Sequence, residues 1–475
     1  MMITHGTVVS LETDADVAVE SKSWPFWYMF EDLQKDPEAR LKTSEQTVND
    51  LRRLGERMIE ETADPKTAVN VPAIYTFFGQ FVDHDITLEM GSSKNSLANP
   101  SPIPLDQIPG QIVNSRSPKL DLDNVYGPDL DGNSIPREAD EARLRLDLVK
   151  GIYASGTEVP NDLPRRPNGS AFIGDPRDDE NIVTAQLHVA FMRAHNVLVE
   201  REGTYEAASR QLRQHYQWIV LNDLLKRIAD PLIVKNVKTR PAKFFKYKPG
   251  PFFMPLEFSV AAYRFGHSKV RAAYDMFNDI NEGGDLGLLF SRARQPLTKS
   301  WVIDWTHFVK PELGFNHPRP IDTTLTELLL ELLPKQLIDK DKERNLATRN
   351  LLRGYILNLP TGQAVAKAMA SDGIVPMTDE EMKSVTQEHD QYKLLKDTGF
   401  LTSTPLWFYI LAEAKFYSRG YHLGPVGSTI VAEVLIEVLR NSTDSILSED
   451  DWRPTLGETP GKFDLDDLLK FAGVF

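Results

Sequence analysis

The stretch Phe78-Gly79-Gln80-Phe81-Val82-Asp83-His84-Asp85 places polar side chains in an otherwise apolar part of the chain. Apolar residues recur around it at intervals of three and four, which predicts an amphipathic helix over Val71–Leu88. On this helix Gln80 and His84 lie one turn apart on the same face, with Asp83 beside them. A carboxylate or imidazole in an apolar environment costs free energy unless a partner compensates it. A lone histidine there is usually a hydrogen-bonded core residue, but three converging polar groups indicate a site built around a non-protein group.

The composition is that of a globular protein of 475 residues, 41% hydrophobic and 26% charged. The net charge of −14 argues against nucleic acid as the main partner. Cysteine is absent, which excludes disulfides, thiolate nucleophiles and cysteine-ligated metals. No apolar run reaches the roughly 18 residues of a membrane span. The N-terminus lacks the basic start and apolar core of a secretory signal, so we expect a cytoplasmic protein or export by a signal-independent route.

Hydrophobic periodicity along the chain predicts a mainly α fold, because strand signals are weak. Further helices are predicted over Thr43–Glu61, Asn181–Glu202, Ala207–Arg227, Ser259–Asp279, Thr323–Leu333, Gln363–Met369, Pro405–Ser418 and Ser428–Arg440. Residues 1–30 are polar and end in the aromatic run Trp24–Tyr28. They predict an N-terminal arm that packs its aromatic end against one large domain of residues 31–475.

Two other clusters of chemically active residues lie near predicted helices. In one, Arg264 precedes His267 by three residues, and Gly266 leaves room for a flat ligand to approach the backbone. In the other, Arg177 and Glu180 lie on the same side of the turn that leads into a helix and can reach a cavity. Between them stand Asp178 and Asp179, which we interpret as capping and dipole-compensating residues of that helix.

An extended loop around Ser117–Asp123 carries Asp121 and Asp123 in alternation, so their carboxylates are expected on one side. Carboxylates with nearby backbone carbonyls suit calcium. Turns also favour aspartate, so this pattern alone is weak.

In this order, these segments resemble the animal haem peroxidases of the peroxidase–cyclooxygenase superfamily. The likeness runs from about Val71 to about Leu439 and rests on five short motifs. They are Gly-Gln-x-x-Asp-His-Asp, Asp-x-Arg-x-x-Glu, Val-Tyr-Gly, Arg-x-Gly-His and the Gly-Pro pair at Gly424. The resemblance implies a single large helical catalytic domain, with haem b between a distal and a proximal helix. The lack of cysteine and of a visible signal departs from the secreted animal members and favours a bacterial one.

The resemblance also implies roles for individual residues. The distal catalytic groups correspond to His84, Gln80 and Arg177, and the proximal iron ligand corresponds to His267, with Asn350 on its other ring nitrogen. Partners of the haem propionates correspond to Arg264 and Arg353, and carboxylates ester-linked to haem correspond to Asp83 and Glu180. Calcium ligands correspond to Asp85, Ser117, Lys119 through its carbonyl, Asp121 and Asp123.

The expected function is therefore reduction of hydrogen peroxide with oxidation of bromide, iodide, thiocyanate, chloride or aromatic donors, in a response to oxidative stress. Chloride is the least favoured donor, because Asn181 replaces the methionine that myeloperoxidase links to haem. One alternative is a fatty-acid dioxygenase of the same superfamily. Arg264 occupies the position of its radical-forming tyrosine, and Tyr263, one place off, is expected to point elsewhere. The other alternative is a non-catalytic haem-binding protein.

Overall fold

The structure is a computed structural model that describes residues 23–60, 71–91, 97, 99–150, 158–248, 250–310, 316–330 and 345–475. Its α-helices, in chain order from α1 to α17, are Glu45–Glu56, Ile74–Ile86, Ile108–Gln111, Asp123–Tyr126, Ile182–Glu202, Tyr205–Ile219, Leu225–Ile228, Pro231–Lys238, Leu286–Arg292, Thr306–Val309, Leu346–Ile356, Gly362–Ala368, Asp379–Thr386, Gln391–Thr398, Leu406–Ser418, Pro425–Arg440 and Leu465–Phe471. Little sheet accompanies them, so the predicted mainly α class is confirmed. Within these described ranges, no helix combines the length and the apolar character needed to cross a bilayer.

The eight strands are short. From β1 to β8 they are Trp24–Trp27, Glu89–Gly91, Ile112–Asn114, Asp147–Lys150, Glu158–Asp162, Met254–Pro255, Ala273–Asp275 and Gly283–Asp285. Four of them form a sheet in the order β2-β3-β1-β6, in which β1 is antiparallel to β3 and parallel to β6. The aromatic end of the predicted arm thus lies inside this sheet. The division of the chain into an arm and a domain stays a prediction, and residues 1–22 lie outside the described ranges.

Most of the predicted long helices are present, but the one over Ser259–Asp279 is largely wrong. A π-helical turn, Glu257–Ala261, leads into a 3₁₀ helix, Ala262–Lys269, which we call the proximal segment. The chain then continues into β7. Gly266 and Ser268 have low helix propensity, which weakens a continued α-helix here. The helix predicted over Thr323–Leu333 appears only as a 3₁₀ turn, Glu327–Leu330, and its last residues lie outside the described ranges.

Helix α2 is held by aromatic packing on one side. The rings of Phe78 and Phe81 stack on Phe191 of α5, at centroid distances of 6.3 and 4.6 Å, and Tyr216 of α6 meets all three edge-on. These rings are fully buried. Aromatic pairs at such distances stabilise beyond their buried area, by about 0.5–1.5 kcal/mol each. The packing fixes the rotation of α2 about its axis, and with it the direction of the polar residues on its other face.

Candidate active site

The polar face of α2 is directed toward neighbouring segments of the protein. The partly exposed positions of this helix are Thr76, Gly79, Gln80 and Asp83, which recur at helical spacing and form one stripe. The proximal segment packs against α2. A Cβ placed on Gly79 would lie 4.0 Å from the hydroxyl of Tyr263, an ordinary contact distance, so that phenol lies next to α2. The two segments that carry the predicted distal and proximal histidines are therefore neighbours in space.

Tyr263, which the sequence interpretation placed on a different side from Arg264, lies close to α2. Its hydroxyl approaches α2 and is buried, and within the described residues it has no hydrogen-bond partner. The ring stacks on Phe258 at 4.8 Å. A 3₁₀ helix turns about 120° per residue, so adjacent residues lie on different sides of it, as they do on an α-helix. That geometry aligns Arg264 with His267 and directs Tyr263 to another side.

His84, the predicted distal histidine, is completely buried and has a carboxylate partner. The Nδ1 atom of His84 lies 2.7 Å from Oδ1 of Asp178. The other oxygen of Asp178 is 2.7 Å from Nδ1 of His188 and accepts a hydrogen bond from Nδ2 of Asn124 at 2.9 Å. Burial opposes the charge, but the hydrogen bonds from both histidines outweigh burial and hold the pKa of Asp178 below its usual value.

The interpretation of Asp178 as a helix-capping residue is therefore wrong. The cap of α5 is Asn181, whose side chain accepts a hydrogen bond from the Thr184 N–H at 2.8 Å. The 3₁₀ turn before it, Pro176–Asp179, is capped by Asp175. Asp178 is left to turn inward toward α2. The sequence could have indicated this role for Asp178. Asn181 alone is enough to cap the helix, so the acidic residues just before it are free for other contacts.

Arg177 lies on this 3₁₀ turn and is held by a buried carboxylate. Its Nε and Nη2 donate to the two oxygens of Asp175 at 3.0 and 2.8 Å, and Nη2 also donates to the carbonyl of Thr87. Its Nη1 lies 4.0 Å from a carboxylate oxygen of Asp83. The bidentate contact fixes the plane of the guanidinium and directs its Nη1 toward the polar stripe of α2.

Gln80 lies one turn before His84 on this stripe. Its Oε1 accepts hydrogen bonds from Nδ2 of Asn181 and from the Thr184 hydroxyl, both at 3.3 Å. The amide is thereby tied to the start of α5. Asn181 thus caps α5 and also contacts the predicted distal glutamine.

On the proximal segment, His267 forms a cluster with Arg264 and Asn350 of α11. Nη1 of Arg264 donates to Oδ1 of Asn350 at 2.9 Å, and Nδ2 of Asn350 lies 2.8 Å from Nδ1 of His267. Burial, followed by the positive charges of Arg264 and Arg349, lowers the pKa of His267 to about 3. The imidazole is therefore neutral at physiological pH. Because Arg264 only donates, this arrangement has Asn350 donating to Nδ1 and the ring proton on Nε2.

Charges on the two sides of the site influence one another. Burial lowers the pKa of Arg264, the charge of Asp83 opposes this effect, and the charge of Arg177 adds to it. Burial also raises the pKa of Glu180 to about 8, against the charges of Arg294 and Arg177. The Asp83 carboxylate accepts a hydrogen bond from the Thr87 hydroxyl at 2.8 Å. Two carboxyl groups thus line the same polar region in different environments.

Arg353 is not directed at the cluster around His267. It forms an ion pair with Glu89 of β2, and its Nε donates to that carboxylate at 3.3 Å. Arg353 is buried, and Glu89 is partly exposed just beyond the end of α2. The pair connects α11 to the sheet beside the distal helix.

The five predicted calcium ligands are only partly brought together. Asp85 is fully buried, and its carboxylate accepts hydrogen bonds from the N–H of Asp123 and, at 2.9 Å, from the Tyr216 hydroxyl. Ser117 donates its N–H and hydroxyl to Asp123, at 3.0 and 2.6 Å. Burial and the nearby charge of Asp123 raise the pKa of Asp85 well above its usual value.

Asp121 departs from the prediction. Its carboxylate turns outward and accepts hydrogen bonds from the N–H and hydroxyl of Thr443, at 2.7 and 2.6 Å. The N–H of Lys119 donates to the Ser117 carbonyl, which closes a tight turn in this loop. In the part of the chain that the structure describes, no three acidic or histidine side chains meet at metal-binding distances.

Comparison with known sequences identifies the family. The sequence profile described as "Animal haem peroxidase" matches residues 99–361, more than half of the chain. The chain belongs to the animal haem peroxidase family. The family and the helical fold that the sequence analysis predicted are thereby confirmed.

One curated protein is similar in sequence, and two solved structures are similar in fold. A peroxidase-like protein of Margaritifera margaritifera is 28% identical over 260 residues, which cover 44% of this chain and only 32% of that protein. Peroxidase A of Dictyostelium discoideum has a similar fold, with a TM-score of 0.62, 16% identity and 88% of each chain covered. The fatty acid alpha-dioxygenase of Arabidopsis thaliana has a TM-score of 0.57 at 14% identity, over 87% of this chain and 71% of its own. At these identities the two solved structures show the fold alone.

Proposed function

We propose that this family member is a haem-dependent peroxidase that reduces hydrogen peroxide and oxidises small electron donors. The observation that carries the proposal is the buried pair of His84 and Asp178. A carboxylate only accepts hydrogen bonds, so Nδ1 of His84 carries the ring proton and Nε2 carries a lone pair. A buried imidazole in this state can take a proton from a peroxide and return it. General acid–base catalysis of this kind contributes about 10²–10⁴ in rate.

The proximal cluster fits a haem iron. Bound haem would supply the two-electron chemistry of peroxide reduction, and His267 would hold its iron through a lone pair on Nε2 of a neutral imidazole. The lowered pKa of His267 keeps the imidazole neutral. The lone pair on Nε2 requires the ring proton on Nδ1, so Asn350 has to present its oxygen to His267 and Arg264 has to release that oxygen. A haem propionate is the acceptor that we propose for the released Arg264.

Arg177 is the proposed cation of the distal side. Its Nε and Nη2 are committed to Asp175, which leaves the Nη1 edge directed toward Asp83 and the polar stripe. A permanent positive charge at that place stabilises negative charge that develops on the leaving oxygen of a peroxide. Gln80, one turn from His84, is proposed to line the same cavity.

The proposed donors are bromide, iodide, thiocyanate and phenols, with chloride less favoured. Asn181 carries an amide that caps α5 and contacts Gln80. It cannot form the sulfonium link to haem that the methionine of myeloperoxidase forms. Without that link, we expect less oxidising power toward chloride than toward the other anions.

We further propose that haem b becomes ester-linked through Asp83 and Glu180. Burial raises the pKa of Glu180 to about 8, so its carboxyl group is largely neutral at physiological pH. An ester at this position therefore costs less than a buried anion. Arg353, paired with Glu89, is proposed to reach a propionate only if that ion pair opens. Extraction with acidic butanone after peroxide treatment measures the link. Ester-bound pigment stays with the protein, and complete extraction would exclude the ester.

Calcium is the proposed partner of Asp85 and Asp123. A buried carboxylate whose closest charged neighbours are other carboxylates fits a bound cation, and Ser117 supplies a further oxygen. The outward turn of Asp121 toward Thr443 means that this ligand would have to reorient. The carbonyl of Lys119 completes the proposed set.

Removal of calcium is expected to lower peroxidase activity, because Asp85 directly follows His84 and the ion would hold the end of α2. A chelator that removes all bound calcium should reduce the rate of peroxide reaction and the melting temperature together. The Asp85→Asn variant should show the same loss without chelator. Unchanged turnover after complete removal, verified by elemental analysis, would contradict the proposal.

A second candidate, fatty-acid dioxygenation, is favoured by the position of Tyr263. A buried phenol that faces the distal helix is suited to one-electron oxidation. Arg264, however, occupies the position of the radical-forming tyrosine in the dioxygenases of this superfamily. Oxygen uptake with a long-chain fatty acid, compared between wild type and Tyr263→Phe, distinguishes this activity from peroxidase turnover.

The experiment that tests the main proposal is absorption spectroscopy of the purified full chain. One equivalent of hydrogen peroxide should shift the Soret band within the mixing time, and bromide, thiocyanate or a phenol should restore it. A Soret band that does not respond to peroxide would contradict the peroxidase function. The absence of a Soret band after reconstitution with haem would contradict haem binding itself.

A further inference from the structure

We propose that Asp178 is a positioning residue that fixes the tautomer of His84, and that Asn124 and His188 fix Asp178 in turn. This inference rests on the proposed peroxidase function, in which His84 is the base. It adds the requirement that His84 carries its ring proton on Nδ1, which the presence of a histidine alone does not ensure. A neutral imidazole has two tautomers, and only the one with the proton on Nδ1 leaves Nε2 able to accept a proton.

Four separate elements converge on this carboxylate. His84 comes from α2, Asn124 from α4, Asp178 from the turn before α5, and His188 from α5 itself. All four side chains are buried, with exposed fractions of 1% or less. The three donors lie 2.7, 2.9 and 2.7 Å from the two carboxylate oxygens. Because the four side chains are buried, the packing of these elements sets the hydrogen-bond directions.

His188 shows that the carboxylate controls the ring protons. Its Nε2 is buried and has no hydrogen-bond partner among the residues that the structure describes. A buried polar nitrogen without a partner costs free energy, and the fold accepts that cost to keep Nδ1 on Asp178. The contact with Asp178, rather than any contact at Nε2, therefore orients this ring. The same carboxylate orients His84.

The neighbours of Asp178 make the replacement Asp178→Asn unusually informative. Nδ2 of Asn124 donates both to Oδ2 of Asp178 and, at 3.4 Å, to the carbonyl of Phe81, which holds its amide in one orientation. An amide at position 178 therefore has to turn its oxygen toward Asn124 and His188, because an NH₂ group there would face another donor. Its NH₂ group then points at Nδ1 of His84. The ring proton of His84 is forced onto Nε2, and the base is lost with almost no change in shape.

The test compares hydrogen peroxide with a peracid as the oxidant. A peracid ionises far more readily than hydrogen peroxide and depends less on a base in the protein. In the holoenzyme, Asp178→Asn is expected to slow the reaction with hydrogen peroxide by about 10²-fold or more, and the reaction with peroxyacetic acid by much less. The matched control is Asp179→Asn, which removes a neighbouring buried carboxylate that pairs with Arg165. It should leave the ratio of the two rates unchanged.

Equal slowing with both oxidants, or no slowing, would overturn the role of Asp178. A wild-type holoenzyme that reacts with neither oxidant would instead contradict the proposed peroxidase function. A second measurement uses the wild-type protein, so it tests the inference even if the Asp178→Asn variant does not fold. The protein is labelled with ¹⁵N-histidine, and any bound haem is kept in a diamagnetic state. The ¹⁵N NMR chemical shifts of the ring nitrogens should then show a protonated Nδ1 and an unprotonated Nε2 for both His84 and His188. Spectra of His84→Gln and His188→Gln assign these signals, and a proton on Nε2 of His84 would refute the inference.

Discussion

We expect the His267→Gly variant to lose haem retention and peroxide turnover, and added imidazole to restore part of both. The reason is that His267 is the side chain of the proximal segment with a neutral, partly buried imidazole beside an amide partner. Replacing residues that only orient a metal ligand costs about 10–100-fold in affinity or activity. Removing the ligand itself should exceed the upper end of that range. Free imidazole fits the space that glycine leaves and can supply the missing nitrogen.

The measurement is haem content per chain, followed by the rate of the Soret shift with hydrogen peroxide, with and without imidazole. The Asn350→Leu variant is a graded comparison, because it removes the partner of Nδ1 and should cost about 10–100-fold. His307→Ala is the control, because that histidine lies on α10 beside Asp304. Full haem content and normal turnover in His267→Gly would place the iron ligand on another residue.

The parts of this fold that the sequence predicts well are those with a local cause. Helix α2 follows from its apolar spacing, and its polar stripe follows from helix geometry. The span of α5 follows from its predicted helical pattern over Asn181–Glu202, although its cap is Asn181 and not Asp178. Helix α11 carries Asn350 but has no distinctive composition, and only the family resemblance pointed to it. Its place beside the proximal segment is set by tertiary packing.

The parts that the sequence does not predict depend on residues that are distant along the chain. Asp178 meets His84 across 94 positions, and only the fold decides that its carboxylate turns inward. The turn of Asp121 toward Thr443 spans 322 positions. The 3₁₀ form of the proximal segment, where an α-helix was predicted, is also not decided by propensity alone. Pairings of this kind determine what the predicted site residues can do.

Asp175→Asn is expected to destabilise the protein by about 3–5 kcal/mol and also to disorder Arg177, the proposed distal arginine. Asp175 is fully buried and binds two arginines, Arg177 through two nitrogens and Arg116 through Nε at 3.1 Å. Burial alone would raise the pKa of this carboxyl, but the charges of Arg177 and Arg116 outweigh it and lower the pKa strongly. Removing the anion leaves two buried guanidinium groups without their charge partner, and breaking a buried ion pair in this way costs about 3–5 kcal/mol.

The lowered pKa of Asp175 also makes the stability of the fold depend on pH. The pKa of Asp175 is lower in the folded than in the unfolded protein, so its contribution is present above the unfolded pKa and is lost as pH falls toward the folded value. Acid should therefore narrow the difference in stability between wild type and Asp175→Asn. Denaturant unfolding at neutral and at acidic pH measures that difference. Asp140→Asn, an exposed aspartate that interacts with Arg143, is the control and should change stability by no more than about 0.5 kcal/mol.

The kinetic consequence separates the two roles of Asp175. If it only stabilises the fold, Asp175→Asn should react with hydrogen peroxide at the wild-type rate at temperatures where the variant remains folded. If it also holds Arg177 in place, the rate should fall while the variant is still fully folded, because Nη1 of Arg177 loses its fixed direction toward Asp83. A variant with wild-type stability would show that the thermodynamic argument is wrong. A normal rate in the folded variant would show that Asp175 is not needed to hold Arg177 in the proposed distal site.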